Sequence, residues 1–202
     1  MNHSIKRNMN RRSFLRLTGT AFSALAVSAA LPASALSLFG LGGGESAPAA
    51  EFNPVPLGEL VNLKDVRKKA TDEQLQEAYN VAVELMRPLA GKPVKQQVTE
   101  LYSILRHFFD TQMTYSMTSE HYNDPYGFFV LKSASCAGCA RATGFCLNIL
   151  GLPFEHVHPN KYCHQWARVL IDGEYWICDP YCLYVGPEPA PYKHPNVTCP
   201  ET

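Results

Sequence analysis

Several signatures that assign a function outright are missing from this 202-residue chain. It has no Gly-x-x-x-x-Gly-Lys-Ser/Thr loop and no Gly-x-Gly-x-x-Gly fingerprint, which removes the common backbone cradles for nucleotide phosphates. It has no internal repeat. It has no excess of either charge, with 18 basic and 18 acidic residues. Five of those basic residues and none of the acidic ones lie in residues 1–35, leaving 13 basic against 18 acidic residues beyond them, a net charge of −5. No basic patch, and no basic stripe interleaved with aromatics, remains, so nucleic acid is not the expected partner. Beyond the N-terminal region no apolar run is long enough to span a membrane.

What the N-terminus does carry is basic charge without acid. Lys6, Arg7, Arg11, Arg12 and Arg16 precede an uncharged run from Leu17 to Gly44, with Pro32 and the small residues Ala33-Ser34-Ala35 inside it. Basic, then apolar, then small is the layout of an export signal. The run "NRRSFLR" resembles a twin-arginine signal, so residues 1–35 are expected to direct export, to a periplasmic or other extracytoplasmic location. The alternative is an uncleaved anchor; Pro32 and weak hydrophobicity favour cleavage, which leaves no stable membrane attachment. Residues 36–58, rich in Gly, Ala and Pro, read as a flexible linker. Residues 59–202 then form one domain, large enough for a core without disulfide staples.

Within that domain lie all seven cysteines: Cys136, Cys139, Cys146, Cys163, Cys178, Cys182 and Cys199. The odd number leaves at least one thiol unpaired within the chain. "TDEQLQEAYNVAVELMRPLAG" predicts a helix, with Thr71 and Gln74 at capping-box spacing and Leu75, Ala78, Tyr79 and Ala82 on one face. A second helix follows Pro93, turning Val94, Val98, Leu101, Leu105 and Phe108 inward. "HFFDTQMTYSMTSEHYNDPYGF" reads as loop, with a turn at Asn123-Asp124-Pro125. A third helix runs from about Cys136 to Leu150, closed by Gly151 and Pro153. "FEHVH" reads as a short strand whose His156 and His158 are surface residues. The Pro-rich tail is expected to wrap the surface.

"CHQWARVLIDGEYWICDPY" carries the strongest local signal, Asp172-Gly173 between two β-prone runs, which predicts a two-residue hairpin turn. That turn pairs Arg168 with Ile177 and Trp166 with Asp179. His164, Trp166, Ile177 and Asp179 then share one face, and His164 and Asp179 are diagonal neighbours within reach of each other. The same register sets Cys163 opposite Cys182 on the other face, a candidate disulfide; two free thiols are the alternative, because Pro180 can bend the strand before Cys182. Cys136 opens its helix, where free N–H groups and the positive end of the helix dipole favour a thiolate. A carboxylate-held histidine can take and return the thiol proton, so Cys136, His164 and Asp179 have the parts of a cysteine triad.

On these residues the chain resembles the transglutaminase-like family. "CAGCARATGFCLNILGLP" is similar to the family's nucleophile segment. "HQWARVLIDGEYWICDP" is similar to its hairpin from histidine to aspartate, with one residue of slack at the turn. The likeness covers about residues 95–185. It implies an α+β, papain-like core with the catalytic Cys at the start of a helix packed on an antiparallel β-sheet. It implies acyl transfer from amide bonds of peptides or proteins, by way of a thioester, to an amine or to water. Cys136 matches the nucleophile, His164 the base and Asp179 the acid that orients it. The Cys136 backbone N–H would hold an oxyanion, with Gln112 or Tyr115 as second donor, and Trp166 would be a wall beside the base. No cofactor and no metal are expected, and the partner is a peptide or protein substrate, with the cell envelope a reasonable source. Two features depart from the family. Ser133-Ala134-Ser135 stands where glycine often precedes the cysteine, and Cys139 stands where an aromatic is usual. Cys139 reads as a small buried thiol; a disulfide to Cys136 is the alternative.

Two other readings stay open on the sequence: the same fold without activity, serving as a binding module, and a metal or thiol-redox protein built on Cys136, Cys139, Cys163 and His164. Against the second, adjacent strand residues such as Cys163 and His164 point to opposite faces, which is poor spacing for chelation.

Overall fold

The structure, a computed structural model, describes residues 51–158 and 164–191. The expected export signal lies outside the described residues, as do Cys163, Cys199 and the end of the Pro-rich tail. Mixed helix and antiparallel sheet make the fold α+β.

Four of the helices precede the segment that carries Cys136. A short α1 (Leu63–Arg67) leads into α2 (Asp72–Met86), whose start is set by a complete capping box. Thr71 Oγ1 accepts from the Gln74 N–H at 3.3 Å and Gln74 Oε1 accepts from the Thr71 N–H at 2.9 Å. Leu75, Ala78, Ala82 and Met86 recur at helical spacing and are all buried. Helix α3 (Val94–Gln112) buries Val98, Leu101, Leu105 and Phe108 the same way. It runs through His107–Gln112, expected as loop, because Phe108 continues the apolar stripe and caps it against Phe128 and Phe129 at 5.5 and 5.9 Å between ring centroids. Val94, expected inward, is exposed in the first turn. Helix α4 (Pro125–Phe129) also falls in the expected loop; Asp124 starts it by accepting from the Gly127 N–H at 3.0 Å.

Two short strands, β1 (Thr114–Tyr115) and β2 (Ser133–Ala134), pair in parallel and bring Tyr115 beside Ala134. Helix α5 (Cys136–Ile149) follows at once and is apolar on almost every side, so it is buried nearly throughout. It packs on a four-stranded antiparallel sheet of β3 (Phe154–Val157), β4 (Trp166–Ile171), β5 (Glu174–Asp179) and β6 (Tyr184–Pro187). The β4–β5 turn is Asp172-Gly173 with φ of 53° and 84°, both left-handed, as a two-residue hairpin requires. Arg168 pairs with Ile177, the expected register.

The core joins helices and sheet: Phe128, Phe129, Phe145, Leu101, Leu105 and Leu147 are all fully buried. Residues 51–58, the end of the expected linker, lie against this same core. The Val55 N–H bonds the Ile149 carbonyl at 3.0 Å, and its own carbonyl accepts from the Tyr79 hydroxyl at 2.8 Å.

Candidate active site

Cys136 owes its position to the turn just before it. The Ser135 N–H and hydroxyl both donate to the Tyr122 carbonyl, at 2.8 and 3.1 Å, and its hydroxyl oxygen accepts from the Ala137 N–H at 3.2 Å. Serine thus caps the helix where glycine was expected by likeness to the family. Gly138 lets the 119–124 loop come this close, since a Cβ there would lie 2.6 Å from the Tyr122 carbonyl oxygen. Gly138 therefore serves loop-to-helix packing.

The hairpin supplies the other two groups. His164 and Asp179 are both buried, and His164 Nε2 meets Asp179 Oδ2 at 2.5 Å. The second carboxylate oxygen accepts from the Cys182 N–H at 3.0 Å. With Nε2 on the carboxylate, Nδ1 is the nitrogen left for a thiol. His164 interacts with Cys136 by side-chain hydrogen bonding. Burial opposes charge on the imidazole, but its bonds to Asp179, Cys136 and Cys182 outweigh burial and push its pKa up to about 12. Burial likewise opposes a Cys136 thiolate; hydrogen bonds from His164, from the Gln165 backbone N–H and from Tyr115 outweigh it, and the thiol is held below its ordinary pKa. Both shifts favour a thiolate–imidazolium pair. Cys136 remains partly accessible.

Aromatic rings frame the pair. Trp166 stacks beside His164 at 6.1 Å and 24° and is itself buried, packed with Ile177 and Tyr184. Tyr181 lies 5.4 Å from His164 and stacks on Tyr115 at 5.3 Å. The Tyr115 hydroxyl interacts with both the Cys136 thiol and the Cys136 backbone N–H; burial first, then the charges of Cys136 and Tyr181, push it up to about 12, so it stays a proton donor. Of the two second-donor candidates, the structure brings Tyr115 to Cys136. Gln112 ends α3 exposed, with no hydrogen bond to Cys136 among the described residues.

Sequence reasoning does not single out Tyr181, and it expects Cys182 on the opposite face, as a disulfide candidate, not beside His164. The chain leaves the strand at Pro180 and turns through Leu183, whose φ is 62°. That turn carries Cys182 to the His164 side of the sheet rather than the opposite face that uninterrupted alternation predicts. Arg106 of α3 holds the turn, donating to the Pro180 and Tyr181 carbonyls at 3.0 and 3.3 Å. Cys182 is a free thiol, and Cys163, its expected disulfide partner, lies outside the described residues. One donor atom from each of His164, Asp179 and Cys182 falls within 4.8 Å of the others, the set that could hold a metal. The bend at Pro180, open as an alternative on the sequence, is what breaks the alternation.

The remaining candidates behave as packing or surface groups. Cys136 and Cys139 are both free; Cys139 is buried one turn along α5, and burial above all holds its thiol far above the ordinary range. Cys146 and Cys178 lie in the core. Arg168 is paired with Glu155 and Glu188 at 2.7 and 2.9 Å. His156 corrects the reading of the "FEHVH" strand: it is half-buried, and burial, with the charges of Arg141 and His158, pushes its pKa down to about 4. It faces a cavity of about 340 Å³ with Asn62, Asp65, Val66, Arg141, Phe154 and Glu155, none of which belongs to the Cys136 cluster. Among the described residues no helix is long and apolar enough to cross a membrane. In comparison with known proteins, no family model and no curated protein matches this chain.

Proposed function

We propose that this chain is an exported, transglutaminase-like cysteine enzyme with a papain-like core, acting on amide bonds of peptides or proteins. The observation that carries this reading is the continuous contact from Asp179 through His164 to Cys136, with the thiol at a helix start. The Cys136 thiolate adds to the amide carbonyl, and the oxyanion is received by the Cys136 N–H and the Tyr115 hydroxyl. The His164 imidazolium gives its proton to the departing amine, leaving a thioester on Cys136. Neutral His164 then takes a proton from water or an amine as it attacks the thioester, which returns the thiol group and completes hydrolysis or transfer. Asp179 keeps the imidazole in the right tautomer and balances its charge. The basic, then apolar N-terminus supports export, and a cell-envelope peptide or protein is the substrate class such a location offers.

Selective alkylation of Cys136 tests this reading. The purified chain, treated with iodoacetamide at mildly acidic pH, is expected to label at Cys136 ahead of every other cysteine, and to lose that selectivity in His164→Ala. Uniform labelling of the accessible thiols would count against the enzyme and favour a binding module.

A further inference from the structure

We infer that His164, Asp179 and Cys182 form a binding site for a divalent cation of the zinc type, overlapping the groups that serve Cys136. The donor set is one imidazole, one thiol and one carboxylate, each offering an atom within 4.8 Å of the other two. Nitrogen, sulfur and oxygen in that mixture suit a borderline-soft cation. Calcium and magnesium are disfavoured, because they want six or more oxygens and only one carboxylate is present.

Charge balance points the same way. His164 and Asp179 are buried and Cys182 is half-buried, so an unbalanced dication would be costly there. A thiolate from Cys182 and the Asp179 carboxylate cancel its two charges, with a neutral imidazole as third ligand. The ligands are also held in place. Asp179 is oriented by the Cys182 N–H, and the turn carrying Cys182 is fastened to α3 by Arg106. The cation takes the place of the proton between His164 Nε2 and Asp179 Oδ2, now 2.5 Å apart. Two metal bonds of about 2.0–2.1 Å at a tetrahedral angle need those atoms about 3.3 Å apart, so the pair opens by just under 1 Å. Three protein ligands leave a fourth position for water. On the enzyme reading, and only on it, a cation on Nε2 fixes the single imidazole proton on Nδ1, so His164 can no longer take or give a proton for Cys136 and the enzyme is switched off reversibly.

The test is a titration of the full purified chain with cobalt(II), then zinc(II), in a buffer that does not bind metal. One equivalent of cobalt(II) is expected to give a thiolate-to-metal charge-transfer band and intense tetrahedral d–d bands, which zinc(II) displaces. Cys182→Ser is expected to lose the charge-transfer band and to weaken zinc binding at least about tenfold, while Cys136→Ser keeps the band. Zinc is expected to slow wild-type Cys136 alkylation at least tenfold, and Cys182→Ser alkylation less than twofold. Circular dichroism checks that each variant is folded. Absence of the bands at one equivalent, or a band unchanged in Cys182→Ser, overturns the site. The two readings fail separately. Rapid metal-free labelling of Cys136 with no cobalt band would remove only the cation site. A Cys182-dependent band with ordinary Cys136 reactivity would remove only the enzyme.

Discussion

Cys136 should be far more reactive than an ordinary cysteine at pH 6, and His164 should be the reason. An unperturbed thiol with pKa about 8.5 is roughly 0.3 per cent thiolate at pH 6. Cys136 is held below the ordinary value by His164, Gln165 and Tyr115, against the burial that raises it. A lower pKa raises the thiolate population at pH 6, and a Brønsted coefficient of about 0.4–0.5 returns only about half of that gain, on a logarithmic scale, as weaker nucleophilicity. The net expectation is alkylation several-fold to about tenfold faster than a free exposed cysteine. The assay is iodoacetamide labelling at pH 6 with peptide mapping by mass spectrometry. The molecule supplies its own controls. Cys139, Cys146 and Cys178 are buried and report unfolding if they label; Cys182 is accessible, with its thiol pushed up mainly by burial. His164→Ala should drop Cys136 to the ordinary rate. It strands Asp179 in a buried site, at a cost of about 3–5 kcal/mol, so silence of the three buried thiols is the check that the variant stays folded. A Cys136 rate that matches a free cysteine, or one unchanged in folded His164→Ala, would refute the thiolate–imidazolium reasoning.

Three other measurements follow from the geometry. Tyr115→Phe keeps the ring stacked on Tyr181 but removes the hydroxyl at Cys136; it should lower kcat on an amide substrate by about 10²–10³, while Gln112→Ala changes it less than twofold. Gly138→Ala pushes a methyl to 2.6 Å from the Tyr122 carbonyl oxygen, so urea unfolding should show a loss of about 1–3 kcal/mol together with slower Cys136 alkylation. His156 titrates near 4 when folded and about 6.5 when unfolded, so between those values the unfolded chain binds more protons and stability must fall as pH falls. That loss should reach up to about 3 kcal/mol by pH 4 in urea melts, and His156→Gln should flatten it.

Local rules account for what was legible in the fold. The capping box at Thr71 and Gln74 starts α2 because two backbone donors are satisfied within four residues. The loop reading of residues 107–128 missed the end of α3 and nearly all of α4 because their helicity depends on Phe108, Phe128 and Phe129 packing on one another. Strands β1 and β2 are two residues each, too short for any alternation to be seen. Of the site, the His164–Asp179 pair could be read from the hairpin, since a two-residue turn fixes the register and alternation fixes the face.

The sequence by itself determined the elements whose cause is local: the Cys136 helix start, the Asp172-Gly173 turn, and the common face of His164, Trp166 and Asp179. Tertiary structure alone decided what those elements meet. Cys136 and His164 come together because α5 packs on the sheet, and Tyr115 reaches the thiol because β1 pairs with β2 just before α5. Cys182 joins the site because the chain bends after Pro180 and Arg106 holds the bend, and His156 shares its cavity with Arg141 of α5, whose charge helps keep it neutral. Each of these depends on contacts between residues far apart in the chain, where neither period nor propensity carries information.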